Sequence, residues 1–161
     1  YERSTGHSTS YDVIGLGYNY RFNDILAGIG IVQLDKLLPD ISKRQHVREL
    51  YIQLLGDDNR LTIPFRDHNS MSSLYICPVI LNEGDANYRD AVRDYLAQKG
   101  VQTSMHYPPA HRFSIYKELP ANLPVTEFVA DHEFTIPMYG ALTDDEIKYI
   151  CQMIKEALDN V

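Results

Sequence analysis

A helix rich in small residues follows a glycine-containing loop near the start of this chain, and this pair of features most constrains the fold. The loop contains Gly15 and Gly17, and the predicted helix contains Ala27, Gly28 and Gly30. Each interior glycine costs a helix roughly 1 kcal/mol relative to alanine. The presence of these glycines despite this cost is explained if another backbone approaches the helix closely. We therefore expect this helix to pack tightly inside a subunit or at a subunit interface.

Capping residues and a proline predict two separate helices in this region. Asn23 can accept a hydrogen bond as the N-cap of the first helix, which we expect to end at about Leu38 because Pro39 follows. Asp40 can then cap a second helix over residues 41–55, and Gly56 ends it.

A compact α+β unit with a small sheet is predicted from about residue 73 onward, because short strands and helices alternate there. Leu74–Leu81 is the clearest strand, and Pro78 within it favours an edge position or a bulge. Thr126 can cap a short helix, and Thr143 with Glu146 forms a capping box before the last helix. That last helix is expected to face the core through Ile147, Ile150, Cys151, Ile154 and Leu158. The other predicted elements are extended pieces at 12–16 and 61–63, a helix at 88–99, and strands at 101–104 and 134–137.

Charge and composition restrict the partners of the chain. The formal net charge of -7 argues against nucleic acid as the main partner, since phosphate binding requires clustered Lys and Arg.

The two cysteines, Cys77 and Cys151, lie in apolar stretches and are predicted to be buried free thiols. No apolar run approaches the ~20 residues that span a bilayer. The free thiols and the absence of such a run predict a cytoplasmic protein. The histidines lack metal-ligand spacing, so we expect no metal site.

Two polar-aromatic clusters supply the candidate functional residues. In the first, the amide of Asn19 can donate to a phosphate oxygen, and the guanidinium of Arg21 can clamp a carboxylate or a phosphate. In the second, His106 can titrate near neutral pH, and two prolines after Tyr107 stiffen the chain. Structural roles stay open for each of them: a turn at Asn19, an ion pair of Arg21 with Asp24, and a loop histidine at position 106.

The order of these motifs resembles that of the pyridoxal-phosphate-dependent nucleotide-sugar aminotransferases of the DegT/StrS-like group. The first cluster reads Gly-Tyr-Asn-Tyr-Arg at 17–21 and is followed by Gly-x-x-Gln-Leu-x-x-Leu at 30–37 and by Arg44. Further motifs match in order and spacing, so that the resemblance covers nearly the whole chain. They are Arg3-Ser4-x-Gly6, Gly100-Val-x-Thr-Ser-x-His-Tyr-Pro-Pro-x-His, Leu123-Pro124-x-Thr126-Glu127, Ile136-Pro137-Met138-Tyr139 and Leu142-Thr143-x-x-Glu146-Ile147.

The resemblance implies the α/β fold of the fold-type-I PLP transferases, in which a large domain binds pyridoxal 5'-phosphate (PLP) and a small α+β domain completes the cleft. Residues 1–38 would be a remnant of the large domain, residues 39–58 a linking helix, and residues 59–161 the small C-terminal domain with a small, mainly antiparallel sheet. The whole protein would be a homodimer. It would transfer an amino group from an amino-acid donor to a nucleotide-linked keto-sugar.

The resemblance also assigns roles to the candidate residues. Asn19 would reach across the dimer to the cofactor phosphate of the other subunit, and Arg21, His106 and Tyr107 would contact the substrate. The family's Schiff-base lysine lies upstream of these motifs, so we expect this chain to hold no catalytic residue and to be inactive alone. The lysines that do not stand in the family's lysine motif are Lys36, Lys43, Lys99, Lys117, Lys148 and Lys155.

Two alternatives stay open. A sugar dehydratase of the same fold has a histidine in place of the upstream lysine, and that position lies outside the motifs matched here. A non-catalytic module that dimerises or binds a ligand is also compatible with a chain that lacks the lysine. Apolar surface left by an absent domain predicts, in addition, that the isolated chain self-associates or aggregates.

Overall fold

The computed structural model describes residues 11–19, 21–68 and 70–161. Predictions that fall on residues 1–10, such as the Arg3-Ser4-x-Gly6 motif, or on Tyr20 lie outside the described residues. The described chain forms helices α1 (Asp24–Leu55), α2 (Ala86–Gln98), α3 (Pro124–His132) and α4 (Asp144–Asn160), a 3-10 turn at Ala110–Arg112, and strands β1 (Leu61–Thr62), β2 (Cys77–Leu81) and β3 (Glu133–Ile136).

A single continuous helix, α1, replaces the two helices that were predicted around Pro39. That prediction was wrong because a proline removes only one intrahelical hydrogen bond, here the bond to the carbonyl of Asp35. Asp35 is exposed, so water can bind its carbonyl instead. Asn23 caps the start of α1 as predicted, since its side chain accepts a hydrogen bond from the Leu26 N–H at 2.9 Å.

The three strands form one antiparallel sheet in the order β1-β2-β3, which confirms the antiparallel prediction. Pro78 lies in the central strand without a bulge, so the prediction of an edge position was wrong. Its partner Thr135 directs both its backbone N–H and its carbonyl to Ser104, on the side away from β2. The Pro78 nitrogen therefore points away from β3, to a side where β1 pairs only with Ile80 and Leu81. The missing N–H costs the ladder no hydrogen bond.

Four other predicted elements differ from the structure. The strand expected over 74–81 begins only at Cys77. Ser104 forms only an isolated bridge to Thr135, so the strand expected over 101–104 does not extend. Helix α3 begins at Pro124 rather than after Thr126, because a proline at the first helical position has its φ angle already set for a helix. The extended piece expected at 12–16 is loop.

The hydrophobic core lies where the sheet meets α1, α2 and α4, and α4 packs against both of the other helices. The capping box of Thr143 and Glu146 starts α4 as predicted, and all of the inward residues predicted for this helix are buried. Cys77 and Cys151 are free and buried, as predicted, and burial raises the pKa of each thiol to about 12. None of the described helices is long and apolar enough to cross a membrane.

The C-terminal half of α1 packs on the core. Its buried residues are Val47, Tyr51 and Leu55. Where this half begins, the backbone of Gly140 approaches so closely that a Cβ atom on it would lie 2.6 Å from Oδ1 of Asp40. An ion pair of 2.6 Å with Arg44 holds that carboxylate in place. The turn before α4 is thereby fixed to the middle of α1.

The N-terminal half of α1 carries apolar side chains that are exposed. Apart from its chain neighbours and the backbone of the same helix, no described atom lies within 4 Å of a Cβ atom built on Gly28. The exposed large apolar residues of this half are Ile25, Leu26, Ile29, Ile31, Val32, Leu34, Leu37 and Leu38. Within the described chain this half thus lacks the close packing that its small residues predict, and a packing partner outside the described residues stays a prediction.

Candidate functional site

The loop that carries His106 and Tyr107 is fixed at both ends. At one end, Ser104 and Thr135 exchange two backbone hydrogen bonds of 3.2 and 2.7 Å, which join the loop to β3. At the other end, Pro109 is buried. Because both anchors belong to the packed part of the molecule, the two candidate residues between them are held relative to the sheet.

Both the side chain and the backbone of His106 contact β3. The Nδ1 atom lies 3.0 Å from Oγ1 of Thr135, and the backbone N–H donates to Oε2 of Glu133 at 3.2 Å. The Thr135 hydroxyl in turn donates to the carbonyl of Ser104 at 3.2 Å. Burial lowers the pKa of His106, so that its imidazole is neutral at neutral pH.

Glu133 is a buried carboxyl group beside this loop, and the residue is only 5% exposed. Its Oε1 atom has no hydrogen-bond partner among the described residues. Burial raises the pKa of Glu133 to about 7, against the opposing effects of the His106 N–H and of the charges on Arg89 and Arg93. A carboxyl group that is partly protonated at neutral pH therefore supports the backbone of His106.

A cavity of about 690 Å³ opens beside His106. The aromatic and acidic residues in its wall are Tyr75, Tyr139, Tyr149, Asp145 and Glu146. At its edge the hydroxyls of Tyr75 and Tyr107 lie 3.0 Å apart. Among the described residues, no lysine or arginine lines this cavity. Rings and hydrogen-bond acceptors without a cation suit a ligand that carries hydroxyl groups better than they suit an anion.

Asn19 and Arg21 are exposed in the loop before α1. In the described part of the chain neither of them lines the cavity beside His106, and no ion pair joins Arg21 to Asp24. The structure thus places His106 in the wall of the cavity and Tyr107 at its edge, in contact with Tyr75, but does not bring Asn19 or Arg21 to it. The roles predicted for all four residues stay predictions.

A set of contacts nevertheless ties the loop before α1 to the segment that follows the second cluster. The Asp12 carboxylate accepts hydrogen bonds from the Ser114 N–H, at 2.8 Å, and from the Ser114 hydroxyl. The rings of Tyr11 and Phe113 lie 5.5 Å apart. These contacts fix the beginning of the loop that carries Asn19, whereas the residues after Val13 extend into solvent.

The residues present do not by themselves fit PLP. A covalent PLP site requires a lysine amine, and every lysine of the chain lies in the described ranges. None of them lines the cavity beside His106 or the groove of about 1240 Å³ between α1 and residues 64–78. The arginines of that groove, Arg48 and Arg66, donate to backbone carbonyls. Nor do the described residues contain a group of three His, Cys, Asp or Glu side chains that could hold a metal ion.

The sequence reasoning missed Glu133 and Thr135. Thr135 stands between the apolar Phe134 and Ile136, and a polar residue inside a short apolar strand is a signal that could have identified it. Glu133 offered no comparable signal, because an acidic residue at the start of a strand is typical of an exposed position.

Sequence comparison relates the chain to enzymes that act on nucleotide sugars. A GDP-perosamine synthase of Escherichia coli O157:H7 is 29% identical over 146 residues, which cover 91% of this chain and 38% of that protein. A dTDP-4-dehydro-2,3,6-trideoxy-D-glucose 4-aminotransferase of Saccharopolyspora spinosa is 30% identical over 139 residues, or 86% of this chain and 35% of that protein. The chain thus spans well under half the length of these relatives.

Solved structures show the same fold. The aminotransferase TlmJ from Streptoalloteichus hindustanus superimposes with a TM-score of 0.74 at 29% identity, over 93% of this chain and 40% of that one. The PLP form of the putative sugar aminotransferase Spr1654 from Streptococcus pneumoniae gives a TM-score of 0.79 at 24% identity, over 94% and 40% of the two chains. The predicted fold, that of the fold-type-I PLP transferases, is confirmed.

These similarities agree with the motifs, since the loop before α1, the His106 loop and the capping box of α4 all fall inside the matched region. A sequence model of the DegT/DnrJ/EryC1/StrS aminotransferase family matches residues 2–155. The chain belongs to this family.

Proposed function

We propose that this chain is the C-terminal part of a PLP-dependent aminotransferase that acts on a nucleotide-linked keto-sugar. The relatives named above support a substrate of this class. An amino-acid donor, a homodimer and a cytoplasmic location belong to the same proposal. One observation carries it: the aminotransferase family model matches residues 2–155, and the matched chain presents an exposed loop and half-helix together with a cavity beside His106 that none of its lysines lines. Such a chain supplies binding groups to a site whose amine comes from elsewhere.

The proposal divides the work among the candidate residues. Asn19 donates to the cofactor phosphate in the partner subunit, which agrees with its exposed position beyond the tie at Asp12. Arg21 binds an anionic group of the substrate, and His106 and Tyr107 contact the substrate from the small domain. Residues 1–38 then belong to the large domain, and the exposed apolar side chains of α1 supply its packing surface.

The test is visible absorbance with added PLP, before and after borohydride reduction. For this 161-residue chain we expect no reducible aldimine band and no stable lysine adduct. For the full-length protein we expect such a band, with the adduct mapping to a lysine outside these residues. A band from the 161-residue chain that maps to one of its own lysines would refute the division of labour proposed here.

A non-catalytic module is the second candidate, and the lack of a lysine at the cavity favours it. The same experiment separates the two, because a module would give no adduct in the full-length protein either. If an adduct forms, product analysis with a nucleotide keto-sugar and glutamate distinguishes amino transfer from other chemistry. A dehydratase of the same fold would release water and form no lysine adduct.

A further inference from the structure

The hydrogen bonds around Thr135 bear on which nitrogen of His106 carries the proton. Thr135 is 5% exposed, so its hydroxyl has little access to water and must satisfy its hydrogen bonds within the protein. Two atoms lie within reach: the carbonyl oxygen of Ser104 at 3.2 Å and Nδ1 of His106 at 3.0 Å. The Ser104 oxygen can only accept, whereas Nδ1 donates or accepts according to the tautomer.

The hydroxyl proton can take two arrangements, and the Ser104 oxygen accepts from the Thr135 backbone N–H at 2.7 Å in both. If the Thr135 hydroxyl donates to Ser104, its lone pair is available to accept from an Nδ1–H group of His106. If the hydroxyl instead donates to Nδ1, two oxygen acceptors face each other at 3.2 Å with no proton between them. The first arrangement is favoured because the lone pairs of two oxygen atoms 3.2 Å apart repel each other when no proton lies between them.

From this geometry we infer that Thr135 is a positioning residue that holds neutral His106 in the Nδ1–H tautomer. The other ring nitrogen, Nε2, has no hydrogen-bond partner among the described residues and belongs to a side chain that lines the cavity. Glu133 accepts a hydrogen bond from the backbone N–H of His106 at 3.2 Å. This bond fixes the position of the His106 backbone relative to β3. Nε2 is thereby presented to the cavity as an acceptor.

This tautomer determines what His106 can bind. An Nε2 acceptor pairs with a hydroxyl or N–H donor of a ligand and cannot pair with a phosphate dianion, which offers acceptors only. The cavity wall agrees, since within the described residues its charged side chains are Asp145 and Glu146. The inference deepens, and rests on, the proposed role of His106 as a substrate contact: this residue contacts a sugar hydroxyl or amine and not the diphosphate.

The test is ¹⁵N NMR of the full-length protein labelled at histidine, recorded at pH 8 and assigned with a His106→Gln variant. We expect Nδ1 of His106 to be the protonated nitrogen and Nε2 the unprotonated one. In Thr135→Val the ratio of the Nδ1–H to the Nε2–H form should fall by about threefold to tenfold, as expected for loss of one hydrogen bond. Thr135→Ser keeps the hydroxyl and should restore the ratio.

Several outcomes overturn the inference. A wild-type spectrum in which the Nε2–H form predominates does so directly, and this measurement needs no variant to fold. An unchanged ratio in Thr135→Val also does so. Added inorganic phosphate should leave the Nε2 resonance in place, and protonation of Nε2 by phosphate would contradict the inference. Because the spectrum does not depend on PLP or on turnover, its failure is distinct from failure of the proposed function.

Discussion

The two halves of α1 contain similar residues in opposite surroundings. Leu55 in the C-terminal half is 0% exposed, whereas Leu34 in the N-terminal half is 66% exposed. The C-terminal half obtains its stability from burial against the sheet and α4, since packing of an apolar face stabilises a helix more than intrinsic propensity does. The N-terminal half has an apolar surface with no comparable partner in the described chain. The comparison shows that one helix can belong to two different packing environments.

The largest expected effect tests this contrast with the same substitution in each half. Leu55→Ala should lower the free energy of unfolding by about 2–5 kcal/mol, because it leaves a cavity in the core. Leu34→Ala should change it by about 0.5 kcal/mol or less, as for a surface site. Urea denaturation of the 161-residue chain measures both. A loss of similar size at Leu34 would show that the N-terminal half is packed after all.

The second prediction concerns the buried carboxyl group of the packed region. Since the pKa of Glu133 is raised to about 7, the folded state keeps a proton that the unfolded state releases at lower pH. Stability should therefore fall as the pH rises from about 4.5 to about 7, by about 3 kcal/mol for a shift of this size.

The variant Glu133→Gln removes this titration and should flatten that part of the pH profile. It should be more stable than the wild type at pH 8 and similar to it at pH 4.5. Urea denaturation at both pH values measures the difference. Glu118→Gln, at an exposed position that makes no ion pair with the described residues, serves as the matched control and should leave the slope in place. Equal slopes for wild type and Glu133→Gln would contradict the assignment.

Two glycine substitutions should shift stability in opposite directions. Gly140→Ala should destabilise the chain by about 1–3 kcal/mol, because its Cβ would lie 2.6 Å from a carboxylate oxygen that is itself held in an ion pair. Gly28→Ala should stabilise it by up to about 1 kcal/mol, since nothing lies within 4 Å and alanine favours a helix. Thermal unfolding followed by circular dichroism reports both.

Gly28→Ala sharpens the comparison further when association is measured. If the N-terminal half is an interface, the added methyl group should weaken self-association even as it stabilises the helix. Sedimentation equilibrium of wild type and variant gives the two dissociation constants. Equal constants would remove the explanation offered for glycine at this position.

The smallest effect compares the two helix caps. Thr143→Ala removes the capping box of α4 and should lower the free energy of unfolding by about 1 kcal/mol. Asn23→Ala removes an equivalent hydrogen bond from α1, but at the end that does not pack on the core. We expect Asn23→Ala to increase amide exchange at residues 24–30 with no change in global stability. If Asn23→Ala lowered the free energy of unfolding as much as Thr143→Ala does, the two halves of α1 would have to unfold together.

The sequence predicted those features that depend on local chemistry. The capping box, the inward face of α4 and the buried thiols follow from residues close together in the chain, and all are confirmed. Pro39 was misinterpreted because a local rule predicts a helix end, whereas the cost of one lost hydrogen bond is small at an exposed carbonyl. Pro78 was misinterpreted because a single sequence does not show which edge of a strand is hydrogen-bonded. Here Thr135 pairs with Ser104 beyond β3, and this pairing leaves the Pro78 nitrogen on the side away from β3.

The candidate site was less predictable for the same reason. His106 and Tyr107 stand beside stiffening prolines and could be identified locally, but Thr135 and Glu133 act on His106 across 29 and 27 positions of the chain. Contacts of this kind arise from the pairing of Ser104 with β3, which the periodicity of either segment does not reveal. Single-sequence reasoning therefore found the residue that faces the cavity and missed the two that orient it.

The hydrogen bonds between Asp12 and Ser114 limit how far Asn19 can reach from the packed part of the molecule. Val13 is held at one end, and Asn23 is held at the other by the start of α1. Asn19 lies between these two fixed points, and a fully extended chain spans at most about 3.5 Å per residue. The Cα atom of Asn19 is therefore confined to within about 14 Å of the Cα atom of Asn23, and its side-chain amide can reach only the length of that side chain further. A phosphate that accepts a hydrogen bond from Asn19 must therefore lie within reach of this loop. The length of the loop thus limits the distance at which a partner subunit can place its phosphate.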